Sequence, residues 1–217
     1  MATATFLLRH SRNLTAHHSR LVTLSRATTL QLQVNPKQRT NLIQNNNNIL
    51  RFMSSLKSTP DLCDDFEDTI RVVDPSLGLH NLGGKNHFGG QVVTVKCHED
   101  NSFVKQLAKT DGKGKVMVVD GGGSRRRALL GDQVAADCVN SGWEGLVIYG
   151  SIRDVDEIKA LSSLGVQALG THPCKTLKRN EGQTGIPVEF GGVTFSSGDY
   201  VVCDNNGIVV NDAPMDK

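Results

Sequence analysis

Arg153 and Asp154 stand side by side in Gly150-Ser151-Ile152-Arg153-Asp154-Val155-Asp156-Glu157, where an apolar run hands over to a helix-like one. A guanidinium at the end of a buried strand, beside glycine, is suited to holding a carboxylate through paired hydrogen bonds. Parallel sheets place their ligands at the carboxyl ends of strands. Asp154 has two readings at this point, a ligand-facing acid or a helix cap. Asp156 and Glu157 read as first-turn acids that complement the helix dipole. A second loop, Gly131-Asp132-Gln133-Val134, opens the preceding helix. Backbone N–H groups at a helix start bind anions without any side chain. Asp132 is again either a cap or a participant.

Other features carry less chemistry. Gly121-Gly122-Gly123-Ser124 lacks the spacing of a dinucleotide or phosphate loop and reads as a tight turn that needs small residues. Arg125-Arg126-Arg127 reads as a solvated face or subunit contact in preference to an RNA patch. Cys63, Cys97, Cys138, Cys174 and Cys203 are widely spaced with no CxxC pair, which implies free thiols in a reducing compartment. His80, His87, His98 and His172 show no spacing of a metal triad and read as surface or structural residues.

The elements that must position these residues follow from hydrophobic period. Leu62, Phe66 and Ile70 recur at helical spacing and predict a helix within Asp61–Asp74. Gln91–Lys96 reads as a strand, Asn101–Thr110 as a helix, and Lys115–Asp120 as a buried strand. Ala128–Ser141 reads as a helix stopped by Gly142, Gly145–Tyr149 as a second buried strand, Asp154–Leu164 as a helix, and Val166–Leu169 as a third strand. Strand–helix alternation implies parallel pairing. After Gly191 the pattern changes to short strands at Val193–Phe195, Tyr200–Cys203 and Gly207–Val210. The expectation is an α/β sandwich or barrel with central parallel strands and a β-rich C-terminal part, not a doubly wound nucleotide fold.

Charge divides the chain. Residues 1–60 hold eight of the 24 Lys and Arg and no acid, so the rest sets sixteen bases against all 22 acids. An acidic body argues against a nucleic-acid surface, which needs clustered positive charge. No stretch approaches the ~20 apolar residues needed to span a bilayer, so no membrane partner is expected. Residues 1–53 are rich in Arg, Ser, Thr and Leu and read as a mitochondrial or chloroplast transit peptide, with mitochondrion favoured. Arg51-Phe52-Met53-Ser54 resembles a processing site, and translation from Met53 gives a cytosolic form. Residues 54–217 are then the working domain.

The motifs Phe88-Gly89-Gly90-Gln91-Val92-Val93-Thr94-Val95, Glu99-Asp100-Asn101, Val118-Val119-Asp120-Gly121-Gly122-Gly123-Ser124, Gly131-Asp132 and Gly150–Glu157 occur in this order. His172-Pro173, Ser197-Gly198-Asp199 and Asp204-Asn205-Asn206-Gly207-Ile208-Val209-Val210 continue the series. Together they resemble the RraA-like family over residues 61–210, including its plant members described as 4-hydroxy-4-methyl-2-oxoglutarate aldolases. The resemblance implies a swivelling-domain-like sandwich and a class II aldolase. Such an enzyme depends on a divalent cation, Mg²⁺ or Mn²⁺, and splits its substrate into two pyruvates. Oxaloacetate decarboxylation through the same pyruvate enolate is also implied. By this resemblance Asp154 is the metal ligand, and Arg153 binds substrate and steadies enolate charge. Gly131, Asp132, Gln133 and Val134 hold the substrate carboxylate, Asp132 also orients a water for proton transfer, and Glu157 supports the metal site from behind. The family implies a homotrimer or hexamer, with a carboxylate from a neighbour for which Asp64, Asp65, Glu67 and Asp68 are candidates. Some members of the family that inhibit a ribonuclease lack the acid of the Arg-Asp pair. A non-catalytic regulator of RNA processing is therefore the alternative, and the intact pair favours the enzyme.

Overall fold

The computed structural model describes residues 56–216, with Gln44 and Phe52 before them. The transit-peptide reading of residues 1–53 otherwise lies outside the described residues. Chain order runs α1 (Thr59–Asp65), β1 (Arg71–Val72), a 3₁₀ turn (Pro75–Leu77), β2 (His80–Asn81), β3 (Phe88–Lys96), α2 (Ser102–Leu107) and β4 (Lys115–Asp120). It continues through β5 (Ala128–Leu130), α3 (Asp132–Asn140), β6 (Gly145–Ile152), α4 (Val155–Lys159) and β7 (Gly165–Thr171). It ends with β8 (Gln183–Thr184), β9 (Val188–Phe190), β10 (Val193–Phe195), β11 (Tyr200–Cys203) and β12 (Ile208–Asn211).

The main sheet has ten strands. Its path is β1-β12-β11-β3-β4-β6-β7-β2, with β5 added to β6 and β8 to β3. Strands β3, β4, β6 and β7 pair in parallel, as the strand–helix alternation predicts. The flanking strands β11, β12, β1 and β2 are antiparallel. The fold is therefore the α/β class with a β-rich C-terminal part.

Both faces of the central strands are buried, which explains their near-continuous apolar runs. Met117, Val119, Leu146 and Ile148 face α2, α3 and α4 in one core. Val116, Val118 and Val147 alternate to the other face, where Val188, Phe190, Val193 and Phe195 of the β9–β10 hairpin close a second core. A third, smaller core joins Leu62 of α1 to Tyr200, Val202 and Val209, and includes Phe52, whose ring meets Tyr200 edge-on at 5.2 Å. No helix among the described residues is long and apolar enough to cross a membrane.

Three expectations need correction. The first helix is shorter than Asp61–Asp74: it starts at Thr59, capped by the Ser58 side chain, and ends before Phe66. Arg71 and Val72 pair with Val210 and Val209 instead of extending it. Ala128–Leu130 is a strand, not the first turn of a helix, because these three buried residues dock along the end of β6. The helix after Arg153 covers only Val155–Lys159, since the chain must turn back quickly into β7.

Close packing of β3 on β6 and β7 depends on two paired glycines. Gly145 and Gly165 are register partners, and the fully buried Phe88 ring lies over both. A Cβ at Gly165 sits 1.9 Å from Phe88 Cδ1. Gly165→Ala should therefore cost at least about 2 kcal/mol through overpacking, read from denaturant midpoints, and trimming Phe88 to Ala in the same chain should lessen the additional cost of the Gly165 substitution.

Candidate active site

The ends of β5 and β6 are tied together where the site forms. The Arg153 amide donates to the Leu130 carbonyl at 3.0 Å. This bond sets the loop after β5 against the loop after β6. Gly131 is the N-cap of α3, in extended backbone (φ −142°, ψ 178°), and no side chain caps that helix. Asp132 is the first helical residue, so its carboxylate does not serve as the cap.

Asp154 occupies the N-cap position of α4 in the left-handed conformation (φ 57°, ψ 47°), again with no side-chain capping bond. The capping reading of both acids therefore fails. Asp154 instead turns toward α3: its Oδ2 accepts the Asp132 amide at 3.3 Å and lies 3.2 Å from Arg153 Nε. Its Oδ1 has no hydrogen bond among the described residues. Both side chains are about one-third exposed, at 34% and 32%. Their carboxylate–guanidinium contact is thus a matter of placement more than of stability, because exposed ion pairs contribute only about 0–1 kcal/mol.

This convergence requires Gly131. A Cβ there meets Asp154 Oδ2 at 2.7 Å and Arg153 Nε at 3.0 Å. The Gln133 and Val134 amides, in the first turn of α3, have no internal helical acceptor, which leaves them to a ligand. Gly131, Asp132, Gln133, Val134 and Arg153 all line one cleft of about 300 Å³. The structure thus brings together the loop and the Arg-Asp pair singled out in the sequence. Glu157 is exposed on α4 and makes no hydrogen bond or ion pair with Arg153 or Asp154 among the described residues. Asp65, Glu67 and Asp68 line a different cleft with Asn211 and Asp212.

The residues missed by sequence reasoning are cationic. Lys105, Lys109, Lys175 and Lys178 line the same cleft. Lys109 faces Asp137 at 3.8 Å. Lys178 is held below the ordinary lysine range, first by the neighbouring charge of Lys105, then by desolvation, and by the charges of Lys175 and Arg153. The available signal was the i, i+4 pair Lys105 and Lys109 and the cation density of residues 175–179. The two segments are about seventy residues apart in sequence.

Buried polar residues join them. Thr176 Oγ1 donates to Asn101 Oδ1 at 2.8 Å, and Asn101 Nδ2 donates to the Leu129 carbonyl at 3.1 Å. The Arg179 amide donates to the Asp100 carboxylate, and the Asn180 amide to Ser102 Oγ at 3.3 Å. Burial pushes the Asp100 carboxyl up, but hydrogen bonds from Ser102 and from the backbone of Arg179 and Glu181 outweigh it and hold the group below its usual range.

A single exposed-side carboxylate oxygen fits a hard cation that retains most of its waters, such as Mg²⁺ or Mn²⁺. Among the described residues there is no group of three or more His, Cys, Asp or Glu that could cage an ion. Of the described residues at this end of the cleft, Asp154 is the one that could hold such an ion, with water and ligand oxygens filling other positions.

Comparison with known proteins places the chain among its relatives. The sequence model of the RraA-like family, described as Aldolase/RraA, matches residues 59–210. A protein of Azotobacter vinelandii, provisionally named 4-hydroxy-4-methyl-2-oxoglutarate aldolase, is 59% identical over 157 residues, covering 72% of this chain and 95% of its own. A Pseudomonas aeruginosa protein with the same provisional name is 58% identical over 153 residues, covering 70% and 93%. Among solved structures, the RNA-processing inhibitor RraA from Thermus thermophilis is 32% identical, with TM-score 0.69 over 73% of this chain and 94% of that one. A Geobacillus kaustophilus structure named as a dimethylmenaquinone methyltransferase is 43% identical, with TM-score 0.70 over 72% and 96%.

Left-handed backbone at a residue other than glycine costs stability, less for Asp than for most. Asp154→Gly should accordingly leave the unfolding midpoint unchanged or raise stability by up to about 1 kcal/mol, as urea titration would show. A clear loss of stability would mean that the carboxylate is there to hold the fold.

Proposed function

This chain belongs to the RraA-like family, and from that premise we propose that it is a carbon–carbon lyase dependent on a divalent cation. Its proposed substrate is 4-hydroxy-4-methyl-2-oxoglutarate, cleaved to two pyruvates. The observation that carries the reading is that Arg153 and the Gly131–Val134 loop line one cleft and that Asp154 contacts both of them. The names of the Azotobacter and Pseudomonas relatives support it.

In this reading Asp154 holds Mg²⁺ or Mn²⁺ through its carboxylate. When bound, the cation supplies a Lewis acid that draws electron density from the 2-oxo group. Arg153 and the free α3 amides hold the carboxylate next to that oxo group. Asp132 orients a water that takes the proton of the 4-hydroxyl. As the C3–C4 bond breaks, C4 becomes the carbonyl carbon of one pyruvate, and the bonding pair passes to C3. Arg153 steadies the negative charge that develops on the C2 oxygen. Return of the proton to C3 completes the second pyruvate. Oxaloacetate fits the same site, with carbon dioxide leaving in place of the first pyruvate.

The Thermus relative is named for RNA-processing inhibition, which is the competing reading. The Arg153–Asp154 pair and the adjoining cleft favour the lyase. We further propose that Glu157 supports the cation site from behind, that the working form is a trimer or hexamer in which a neighbour contributes an acid, and that residues 1–53 direct the chain to an organelle.

Full-length protein with Mg²⁺ should release pyruvate from 4-hydroxy-4-methyl-2-oxoglutarate and from oxaloacetate, followed with a coupled pyruvate assay. Asp154→Ala should abolish release. Arg153→Ala should lower kcat/KM at least ~100-fold, the scale of losing one charge-stabilising donor. Protein that is inert with every divalent metal, yet binds a ribonuclease, supports the regulator instead. Gly131→Ala should fold normally, since its backbone angles suit alanine, but lose on the order of 100-fold in kcat/KM because the reacting groups are displaced.

A further inference from the structure

We propose that Lys105, Lys175 and Lys178 form a second anion seat, which takes the distal carboxylate of a 2-oxo dicarboxylate and makes the cleft select dianionic over monoanionic 2-oxo acids. This rests on the lyase reading for the position of the first carboxylate, at Arg153 and the α3 amides.

Five cationic side chains line the cleft, against two acids, Asp132 and Asp137. Asp137 already faces Lys109, and Asp132 lies at the reacting end. Lys105, Lys175 and Lys178 make no ion pair with an acid among the described residues. Lys105 and Lys178 nonetheless line the same cleft, close enough for the charge of Lys105 to act on Lys178. Two ammonium groups gathered with no acid between them repel, and the lowered proton affinity of Lys178 registers that cost. An anion seated between them reverses the sign of the interaction.

The gathering is built in. Lys105 rises from α2, directly after the buried Asp100-Asn101-Ser102 segment. Those same three residues hold the opposite wall: Asn101 holds Thr176, Asp100 holds the Arg179 amide, and Ser102 holds the Asn180 amide. Lys175 and Lys178 flank these fixed points. The backbone on both sides of the seat is thus positioned by one buried polar segment before a ligand arrives. The seat and the Arg153 end share one cleft of about 300 Å³, at the small end of the range for small-molecule sites.

The test compares 2-oxoglutarate with 2-oxopentanoate, which has the same chain length but a methyl in place of the distal carboxylate. Both are titrated by calorimetry into the full-length protein with Mg²⁺. Wild type should bind 2-oxoglutarate about 10- to 100-fold more tightly, the scale of one or two charge-assisted hydrogen bonds. Lys105→Met/Lys178→Met should erase that preference while leaving 2-oxopentanoate affinity within about threefold. Equal affinity for the two acids in wild type, or an equal loss of both in the variant, overturns the seat. A preference that depends on the lysines in a protein that releases no pyruvate leaves the seat standing and removes the lyase reading.

Discussion

The site depends on one close approach: a carboxylate in left-handed backbone meets a helix amide across a residue that has no side chain. Asp154 reaches the Asp132 amide and Arg153 Nε with the same oxygen, and it does so past Gly131, where any Cβ falls inside contact distance. That arrangement satisfies one orphan amide of α3 and leaves the other carboxylate oxygen free. It also costs backbone strain at Asp154, of a kind that folded chains tolerate at functional positions and seldom elsewhere.

The sheet makes the approach reproducible. β5 and β6 end together, tied by the Arg153 amide and the Leu130 carbonyl. β5 exists because Ala128, Leu129 and Leu130 are fully apolar and find a buried edge along β6. Had those residues continued α3 backwards, as their composition suggests, the helix would start a turn earlier and its free amides would point away from Asp154. The cleft is therefore a consequence of a local choice between strand and helix, decided by tertiary burial over propensity.

This is also where the sequence was hardest to read. Strands β4 and β6 were visible as apolar runs because they are buried on both faces, and the Arg153–Asp154 pair was visible because it interrupts one of them. The loop Gly131–Val134 was legible from its glycine and the helix that follows. The helix boundaries were not, since α1, α2 and α4 stop where the chain must return to the sheet, a constraint with no local residue signature. The lysines of the cleft were invisible for a different reason. Lys178 belongs beside Lys105 only because Asp100, Asn101 and Ser102 bind the backbone around residues 176–180, and such non-local polar anchoring leaves no periodicity to detect.

Charge distribution adds a constraint on what the cleft can receive. Beyond residue 60 the chain carries more acids than bases, yet the cleft gathers Arg153 and four lysines. A concave site lined mainly by one sign of charge focuses its field on ligands small enough to enter. With a screening length near 8 Å at physiological salt, a small dianion inside the cleft is affected chiefly by the lysines and Arg153. The same cations that would look like a nucleic-acid patch if spread along a face act, when gathered into a pocket of this size, as a filter for compact, doubly charged acids.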